Sequence, residues 1–441
     1  MQQFTFCTMT LGCKVNQYET GAIEGILRDR GYSMVKLGDG CDVCILNTCA
    51  VTEESVKKSQ KTIRRMKKLE PNALIAVCGC YTELDAKTVA ELGVDIVSGT
   101  KDRHGFALKI EELLAERGEH DSGSPELAYS STHNTFEELA PGGSENRTRA
   151  LLKIQDGCNN FCTYCIVPYA RGRSRSLSIE RIIEYTKKLV DQGYKEIVIA
   201  GIEISSYGRD LTADESKQNS FPLLSAIQAV SSVAPNVRLR LGSLDPSIMT
   251  KEFCLELSKI PNLCNHFHLS IQSGCDEILS TMGRKYTAEQ VLQSIETIRI
   301  HFADCGITAD LIVGFPGETD EEFNQTLEFM KRAQLSEMHI FSYSQRPGTK
   351  AADMPNQIDK DTKKERSQIA KKTAKEMSKN FRQSQVGKTV DVLFEQEKDG
   401  FMIGHSSNYL EVKIKEKTER NTIKKVIITS TKNESLLGEI I

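Results

Sequence analysis

The stretch LLKIQDGCNNFCTYC, residues 151–165, joins a short apolar run to three cysteines in Cys-x3-Cys-x2-Cys spacing. The run LLKIQ predicts a β-strand, which places Cys158, Cys162 and Cys165 on one loop at its carboxyl end. Three thiolates are one short of the four that hold an iron–sulfur cluster, so one iron would stay open to bind and reduce a ligand. A zinc site would be expected to recruit a fourth protein ligand. The spacing therefore favours an iron–sulfur cluster.

Strand-like runs and amphipathic helical stretches alternate on the carboxyl side of this loop. After LLKIQ the strand candidates are EIVIAG, VRLRLGS, NHFHLSI, ITADLIVGF and MHIFSYS. Six such strand–helix units predict a full or partial (β/α) barrel over residues 148–375. In such barrels the chemistry lies at the carboxyl ends of the strands.

The segment before the loop, residues 1–118, shows the same alternation. Its strand-like runs are Phe4–Leu11, Cys41–Leu46, Ala73–Cys78 and Val94–Val97, and its helical stretches span about Gln17–Arg30, Glu53–Leu69 and Thr82–Leu92. This pattern predicts a parallel sheet with helices on its faces.

Two further segments complete an α/β multidomain fold class. Residues 119–147 are polar and rich in Ser, Gly and Pro, which predicts a linker. Residues 376–441 alternate over short strands with glycine-containing turns, which predicts a small antiparallel β-barrel.

Composition sets the cellular context that we expect. The 441 residues contain no run of about 18 apolar residues, and the N-terminus lacks a basic flank followed by an apolar core. We therefore expect a cytosolic protein without a membrane segment. In reducing cytosol the 14 cysteines would bind metal or stay as buried thiols rather than form disulfides. The net charge of −3 argues neither for nor against nucleic acid as a partner. The basic stretches 57–68 and 363–382 could contact nucleic acid, but solvated helix faces explain them equally well.

The loop GCNNFCTYC, with Tyr164 directly before its third cysteine, resembles the cluster motif of the radical S-adenosylmethionine superfamily. The resemblance implies that S-adenosylmethionine binds the open iron and that one electron from the cluster cleaves it to a 5′-deoxyadenosyl radical. IVIAG and ITADLIVGFPGET resemble strand motifs at the methionine and adenine ends of this cofactor, which implies contacts by Tyr164, Gly201 and Gly314. Without the cysteines, apolar core strands ending in glycine turns explain both motifs as well.

Three other cysteines, Cys13, Cys49 and Cys80, each follow a predicted strand of the first segment. Loops at the carboxyl edge of a parallel sheet converge on one crevice, so these thiols can meet, although their wide spacing does not require it. Cys41 and Cys44 form a Cys-x2-Cys pair that is at most half a zinc site, since no second pair accompanies it.

The motifs LGCKVN, NTCAVT and GC-Y-T, with GCNNFCTYC and the C-terminal β segment, resemble the methylthiotransferase family over essentially the whole chain. The resemblance implies that Cys13, Cys49 and Cys80 hold a second [4Fe–4S] cluster, again with one open iron. We choose Cys80 over Cys78 because Cys78 falls within the strand ALIAVC, whereas Cys80 follows the turn glycine Gly79. The remaining eight cysteines need no function.

This family inserts sulfur and a methyl group at an unactivated C–H bond, which implies two [4Fe–4S] clusters and S-adenosylmethionine as both methyl donor and radical source. Its branches modify isopentenyladenosine in tRNA, threonylcarbamoyladenosine in tRNA, or an aspartate of a ribosomal protein. LGCKVNQYET and NTCAVT most resemble the threonylcarbamoyladenosine branch, which modifies C2 of that base next to the anticodon. An electron donor such as a flavodoxin or ferredoxin and a separate sulfur source are implied. Glu203 departs from the neutral residue or His expected at its position.

The C-terminal segment resembles a TRAM domain, a small β-barrel that binds RNA. The resemblance implies tRNA as the partner, with phosphate contacts from Lys388, Lys413 and Lys415 and with an unstacked anticodon-loop adenosine as the substrate. For each lysine alone a solvated surface is the alternative. For the whole chain the alternative from another class is a non-enzymatic RNA-binding protein with structural zinc.

Overall fold

The computed structural model describes residues 4–116, 126–128, 135–142, 148–211 and 221–441. They form two compact units, the first from residues 1–145, 155–177 and 344–352 and the second from residues 146–154, 178–343 and 353–441. The domain boundaries at 118, 147 and 375 stay predictions, and most of the predicted linker lies outside the described residues. Within the described part, every helix is too short or too polar to cross a membrane.

The first unit is built on a parallel sheet with the strand order β2-β1-β3-β4-β5-β6. Every residue of β3 and β4 is buried, as expected for central strands covered on both faces. The strands are β1 (Thr5–Thr10), β2 (Ser33–Met34), β3 (Val43–Thr48), β4 (Leu74–Gly79), β5 (Ile96–Ser98) and β6 (Glu126–Ala128).

Five helices accompany this sheet: α1 (Lys14–Asp29), α2 (Glu53–Leu69), α3 (Cys80–Leu84), α4 (Ala86–Ala90) and α5 (Arg103–Ala115). Helix α2 begins at a capping box formed by Thr52 and Ser55. The single helix expected over Thr82–Leu92 is wrong, because Asp85 ends α3 and its side chain accepts from the N–H of Thr88 to cap α4. The alternation of strands and helices confirms the predicted parallel α/β sheet.

Strand β7 (Arg149–Lys153) belongs to the second unit, and the chain then returns to the first with β8 (Gln155–Asp156), α6 (Val167–Arg171) and β9 (Arg175–Ser176). Strands β8 and β9 pair antiparallel. They close the base of the loop that carries the motif GCNNFCTYC.

Besides β7, the second unit contains the strands β10 (Glu196–Ala200), β11 (Arg238–Leu241), β12 (Ser243–Leu244), β13 (His266–Gln272), β14 (Gly306–Val313) and β15 (Glu337–Ser342). They form two parallel sheets, ordered β11-β10-β7 and β12-β13-β14-β15. Only Gly242 separates β11 from β12, and its N–H donates to the carbonyl of Ile199 at 2.8 Å. Among the described residues β7 and β15 do not pair, so the predicted barrel is partial.

Seven helices alternate with these strands or follow them: α7 (Ile179–Asp191), α8 (Pro222–Val233), α9 (Lys251–Leu257), α10 (Asp276–Thr281), α11 (Ala288–His301), α12 (Asp320–Ala333) and α13 (Lys360–Gln383). Short 3-10 turns lie at Ile204–Ser206, Pro246–Ile248 and Lys350–Asp353. Threonine capping boxes begin α11 and α12, at Thr287 and Thr319.

The chain ends in a closed five-stranded barrel, ordered β16-β17-β18-β20-β19. Its strands are β16 (Thr389–Lys398), β17 (Phe401–Ser406), β18 (Glu411–Ile414), β19 (Thr422–Lys432) and β20 (Ser435–Ile440). The interior is apolar and includes Phe394, Val412 and Val426, all fully buried. This confirms the predicted small β-barrel, with the difference that β18 and β20 pair in parallel.

Candidate functional site

Three cysteines lie just beyond the carboxyl ends of neighbouring strands in the first unit. Cys13 precedes α1, Cys49 follows β3, and Cys80 is the first residue of α3, whereas Cys78 is buried within β4. The direction of chain progression reverses between β1 and β3, because β2 lies on the other side of β1. Parallel sheets bind ligands at such a reversal, and the loops of Cys13 and Cys49 flank it.

Two glycines let these loops approach each other. Gly12 has a φ of +103°, and a Cβ at this position would lie only 2.9 Å from the Cβ of Cys49. Gly79, directly before Cys80, has a φ of +108°, and its Cβ would lie 2.6 Å from the carbonyl oxygen of Thr48. A side chain at either position would strain the backbone and push a cysteine loop away.

Asn16 ties two of the cysteine loops together. Its side-chain amide donates to the carbonyls of Leu11 and Thr48, both at 2.8 Å. These carbonyls lie just before Cys13 and Cys49, respectively. Because Asn16 is buried, breaking either bond would leave a polar group without water to replace it.

The three thiols differ in exposure and influence one another. Cys49 and Cys80 are each 7% exposed, whereas Cys13 is exposed. Burial raises the pKa of Cys80 to about 12; the positive charge of Arg171 opposes this shift, and negative charge on Cys13 or Cys49 adds to it. Holding these sulfurs as thiolates therefore requires positive charge nearby, such as the iron ions of a bound cluster.

A buried guanidinium links α1 to the second cysteine loop. Arg171 donates to both carboxylate oxygens of Glu19, at 2.8 and 3.1 Å, and to Oδ1 of Asp156 at 3.0 Å. It also donates to Oδ1 of Asn16 at 2.6 Å, and Arg103 donates to Glu19 at 3.0 Å. Asp156 ends β8, at the base of the loop, so one ionic network holds both cysteine regions of the first unit.

The loop of Cys158, Cys162 and Cys165 folds back on its own end. The N–H of Cys158 donates to the carbonyl of Gly172 at 3.1 Å, and the N–H of Cys165 donates to the carbonyl of Cys162 at 2.9 Å. The N–H of Asn160 lies 3.4 Å from Sγ of Cys158. Hydrogen bonds to cysteine sulfur are among the contacts that tune iron–sulfur clusters.

The late segment 344–352 contacts both cysteine regions of the first unit. The N–H of Ala351 donates to the carbonyl of Thr163 at 2.8 Å, within the GCNNFCTYC loop. The N–H of Glu53 donates to Oγ of Ser344 at 3.0 Å, four residues after the cysteine of NTCAVT. The segment is thus hydrogen-bonded to both loops, although it lies far from both in sequence.

Arg346, in the same segment, places positive charge near Cys49. Burial lowers the pKa of Arg346, and Glu53 and Cys49 act in the opposite direction. Its Nε atom is buried and has no hydrogen-bond partner in the part of the chain that the structure describes. An anionic cluster bound to Cys49 would satisfy this donor, so the donor set fits such a group.

The trio Cys13, Cys49 and Cys80 is spaced more widely than the ligands of a single metal ion. Within the described part of the chain, its three sulfur atoms do not all lie within 4.8 Å of one another. In a cubane cluster each thiolate binds a different iron, so wider separation is expected.

The residues predicted to contact the cofactor lie in different parts of the chain. Tyr164 is half-buried in the cysteine loop of the first unit. Gly201 follows β10 and Gly314 follows β14, both at carboxyl ends of barrel strands. The N–H of Gly314 donates to Glu318 at 2.7 Å, and Glu318 is paired with Arg366 at 2.8 Å.

Glu203, the residue that departs from the family pattern, caps the 3-10 turn after β10. Its carboxylate accepts from the N–H of Ser205 at 3.0 Å. Burial raises the pKa of Glu203, and the negative charge of Asp245 raises it further. Its role in this structure is therefore to shape the strand-end loop.

The three lysines predicted to bind RNA lie on or next to the C-terminal barrel. Lys388 pairs with Asp304 at 2.5 Å, and Lys413 pairs with Glu411 at 3.1 Å. Lys415 is exposed. Two of the three are thus in ion pairs within the second unit.

Two known families match parts of the chain: the Radical SAM superfamily over residues 152–330 and Uncharacterized protein family UPF0004 over residues 5–99. The threonylcarbamoyladenosine tRNA methylthiotransferase MtaB of Bacillus subtilis (strain 168) is 38% identical over 412 residues, which cover 92% of this chain and 89% of that protein. The chain belongs to the radical SAM methylthiotransferase family. It is an enzyme that transfers a methylthio group and works with S-adenosylmethionine and two [4Fe–4S] clusters.

Other relatives of this methylthiotransferase carry two different names. MtaB of Thermotoga maritima is 36% identical over 387 residues, covering 88% of this chain and 85% of that protein. The tRNA-2-methylthio-N(6)-dimethylallyladenosine synthase of Pelotomaculum thermopropionicum is 34% identical over 408 residues, covering 90% and 89%. Both names describe tRNA methylthiotransferases, so radical methylthiolation of tRNA is the activity that the relatives share.

Solved structures share the fold of this methylthiotransferase. The radical S-adenosylmethionine methyltransferase TsrM of Kitasatospora setae matches with a TM-score of 0.57 at 14% identity, covering 80% of this chain and 74% of that one. The cobalamin-dependent S-adenosylmethionine radical enzyme OxsB matches with a TM-score of 0.51 at 13% identity, covering 86% and 56%. At these identities the likeness concerns architecture alone.

Sequence reasoning missed the polar residues that position the cysteine loops. Asn16 and Glu19 lie three residues apart on α1 and share one helical face, which is the only local signal. Arg171 gives no such signal, because its partner Glu19 is 152 residues away in sequence. Buried charges of this kind are recognised once the fold brings them together.

Proposed function

We propose that this enzyme methylthiolates C2 of N6-threonylcarbamoyladenosine, next to the anticodon of tRNA. In this proposal Cys13, Cys49 and Cys80 hold one [4Fe–4S] cluster, and the three cysteines of the GCNNFCTYC loop hold the other. The observation that carries it is the ionic network of Arg171, which connects both cysteine regions within one unit. Two neighbouring sets of three thiolates suit a reaction that needs both a radical and a sulfur donor.

The chain's own residues bind and orient the reactants. When bound, the clusters and S-adenosylmethionine supply the radical, the sulfur and the methyl group. Arg171 and Arg346 lower the cost of keeping nearby sulfurs as thiolates. The burial of Cys49 and Cys80 keeps water away from these two sulfurs.

Tyr164, Gly201 and Gly314 are the proposed cofactor contacts. The two glycines follow strand ends of the partial barrel, where (β/α) barrels bind their ligands. Gly314 has a φ of +70°, which favours glycine, and a Cβ here would lie only 2.5 Å from Cγ of Lys363.

The tRNA partner is proposed to contact Lys388, Lys413 and Lys415. Phosphates would replace Asp304 and Glu411 as partners of the first two lysines. Ion pairs as solvent-exposed as these contribute no more than about 1 kcal/mol, so the exchange costs little. An electron donor such as a flavodoxin or ferredoxin, a separate sulfur source and a cytosolic location, where the tRNA is found, complete the proposal.

Isopentenyladenosine in tRNA is the second candidate substrate. It is favoured by relatives named dimethylallyladenosine synthases, which are up to 36% identical to this chain. Threonylcarbamoyladenosine is preferred because MtaB relatives reach 38% identity and because LGCKVNQYET resembles that branch.

The experiment compares the two bases directly. Reconstituted enzyme is incubated anaerobically with S-adenosylmethionine, a reductant and tRNA that carries either threonylcarbamoyladenosine or isopentenyladenosine, with unmodified tRNA as the control. Mass spectrometry of the digested nucleosides should show the methylthio group only on threonylcarbamoyladenosine. A product found only on isopentenyladenosine would show that this base, and not threonylcarbamoyladenosine, is the substrate. Cofactor cleavage without either product would overturn the assignment to these tRNA bases.

A further inference from the structure

A separate group of thiols lies at the amino-terminal edge of the first unit's sheet. Cys7 in β1 and Cys44 in β3 are direct neighbours in the parallel register, and Cys41 lies two residues before β3. Cys7 and Cys44 are 2% and 0% exposed, and Cys41 is half-buried. From Cys44 to Cys49 the chain advances five residues at about 3.3 Å each, so this edge is roughly 16 Å from the cysteines already described.

The three sulfur atoms form a compact triangle. Sγ of Cys7 lies 3.3 Å from that of Cys44 and 3.7 Å from that of Cys41, and the Cys41 and Cys44 sulfurs are 3.4 Å apart. Tetrahedral zinc, with Zn–S bonds of about 2.3 Å, holds its sulfur ligands about 3.8 Å apart. A disulfide requires about 2.05 Å, and a cubane cluster requires wider separation than a single ion. The triangle is therefore closest to a mononuclear metal site.

We propose that Cys7, Cys41 and Cys44 bind one Zn²⁺ ion, distinct from both iron–sulfur clusters. Cys41 and Cys44 have the Cys-x2-Cys spacing of zinc sites, and the neighbouring strand supplies the third sulfur across 34 residues of sequence. Thiolates select ions such as Zn²⁺ over the hard cations Mg²⁺ and Ca²⁺. Binding forms three Zn–S bonds, releases the thiol protons to solvent and transfers no electron. Among the described residues no fourth His, Cys, Asp or Glu joins the three sulfurs, so water fills the fourth position, as in zinc sites with three protein ligands.

Glu70, which follows the last residue of α2, holds the loop that carries Cys41. Its Oε1 accepts from the N–H groups of Gly38 and Gly40 at 2.7 and 3.1 Å, and its Oε2 accepts from the N–H of Cys41 at 3.3 Å. Glu70 is buried, so these three hydrogen bonds are shielded from water. Glu70 is thus a positioning residue for the third sulfur. A bound ion would join the starts of β1 and β3, where the Asp42 carboxylate also accepts from the N–H and the hydroxyl of Thr5 at 2.7 and 2.8 Å.

The test measures zinc and iron together in anaerobically purified holoprotein, by elemental mass spectrometry after gel filtration. Zinc also binds the thiolates of empty cluster sites, so protein with about eight irons per chain is used. Wild type should hold about one zinc, and Cys7→Ser and Cys44→Ser should lower it at least about tenfold without changing iron. Glu70→Gln should weaken zinc binding about 10- to 100-fold. Cys254→Ser, which removes a buried thiol of the second unit, should keep the zinc.

Three results would overturn the proposal, and none depends on the substrate of the enzyme. The first is wild-type holoprotein that holds no zinc after incubation with Zn²⁺ and desalting. The second is that the Cys7→Ser and Cys44→Ser variants retain as much zinc as wild type. If those variants fail to fold, X-ray absorption at the zinc edge of wild type decides, since three sulfurs at about 2.3 Å support the site and a shell of nitrogen and oxygen alone refutes it.

Discussion

Arg171 and Glu19 form a bidentate ion pair with almost no access to solvent. The guanidinium donates to both carboxylate oxygens, and the two side chains are 1% and 0% exposed. The pair joins α1, which begins directly after Cys13, to α6, which follows the GCNNFCTYC loop. The relative position of the two cysteine loops within the first unit therefore depends on a contact between residues that sequence spacing does not relate.

Replacing Arg171 with methionine should destabilise the first unit by about 3 kcal/mol or more, because it leaves Glu19 and Asp156 buried with a partner removed. Denaturant unfolding of wild type and variant measures the change in free energy. The control is Arg30→Met, which removes a half-exposed pair with Glu111 and should cost less than about 1 kcal/mol. Equal losses for the two variants would contradict the role given to the buried network.

Replacing Gly79 with alanine should reduce the iron that the enzyme retains, because the new Cβ meets Asn47 and Thr48 and moves the start of α3 with Cys80. The positive φ alone costs about 1–2 kcal/mol for an alanine. Gly31→Ala is the matched control, since Gly31 has a φ of +89° and nothing within 4 Å of the new Cβ. Iron per chain should fall by about half in the first variant and stay unchanged in the second; unchanged iron in both would refute the prediction.

Single cysteine variants should separate radical formation from sulfur insertion. Cys49→Ala should still cleave S-adenosylmethionine to 5′-deoxyadenosine but give no methylthiolated tRNA, whereas Cys158→Ala should abolish both. Anaerobic assays of the nucleoside and of the tRNA product measure the two steps. Cys305→Ala, which changes a buried thiol of the second unit, serves as the control and should retain both. Sulfur insertion by Cys49→Ala would falsify the assignment of the second cluster.

Glu196 should contribute acid-sensitive stability to the second unit. Burial by itself would raise its pKa, but Arg240 and Arg238 outweigh burial and lower the pKa from 4.5 to about 2. A carboxyl group with a depressed pKa stabilises the fold above the unfolded value and loses this contribution as the pH falls. The loss should amount to about 3 kcal/mol between pH 4.5 and 2.

The matching variant is Glu196→Gln, which leaves the buried Arg240 without its charge partner. It should be less stable by about 3–5 kcal/mol at neutral pH and should lack this part of the acid dependence. Unfolding free energies measured from pH 7 down to pH 2 test both points. The control is Glu256→Gln, which removes the partner of the exposed Lys259. An acid profile that is the same in wild type and Glu196→Gln would exclude Glu196 as its source.

Local patterns predicted the elements of the fold well. The helix expected over Glu53–Leu69 begins and ends at those residues, because its amphipathic face and its cap at Thr52 are adjacent in sequence. Lys14 begins α1 three residues earlier than expected, since Cys13 takes the N-cap position without a side-chain bond that a sequence pattern would reveal. The alternation of strands and helices predicted the parallel sheets, whereas strand order and the extent of barrel closure were not predicted.

Long-range contacts explain what the sequence did not predict. The pair Cys41 and Cys44 gave half of a metal-binding pattern, and its third member Cys7 is visible only when β1 and β3 pair in register. Arg346 likewise joins the cysteine region from a segment beyond the sixth strand of the barrel. Such contacts depend on topology, which periodicity and spacing do not encode.

The first unit is completed by segment 344–352, although its sheet is synthesised within the first 145 residues. A ribosome adds about 5–20 residues each second, so roughly 10–40 seconds separate the sheet from its last piece. During this interval the cysteine-bearing loops lack the hydrogen bonds that the hydroxyl of Ser344 accepts and the N–H of Ala351 donates. The first unit is therefore complete only after nearly the whole partial barrel has been synthesised.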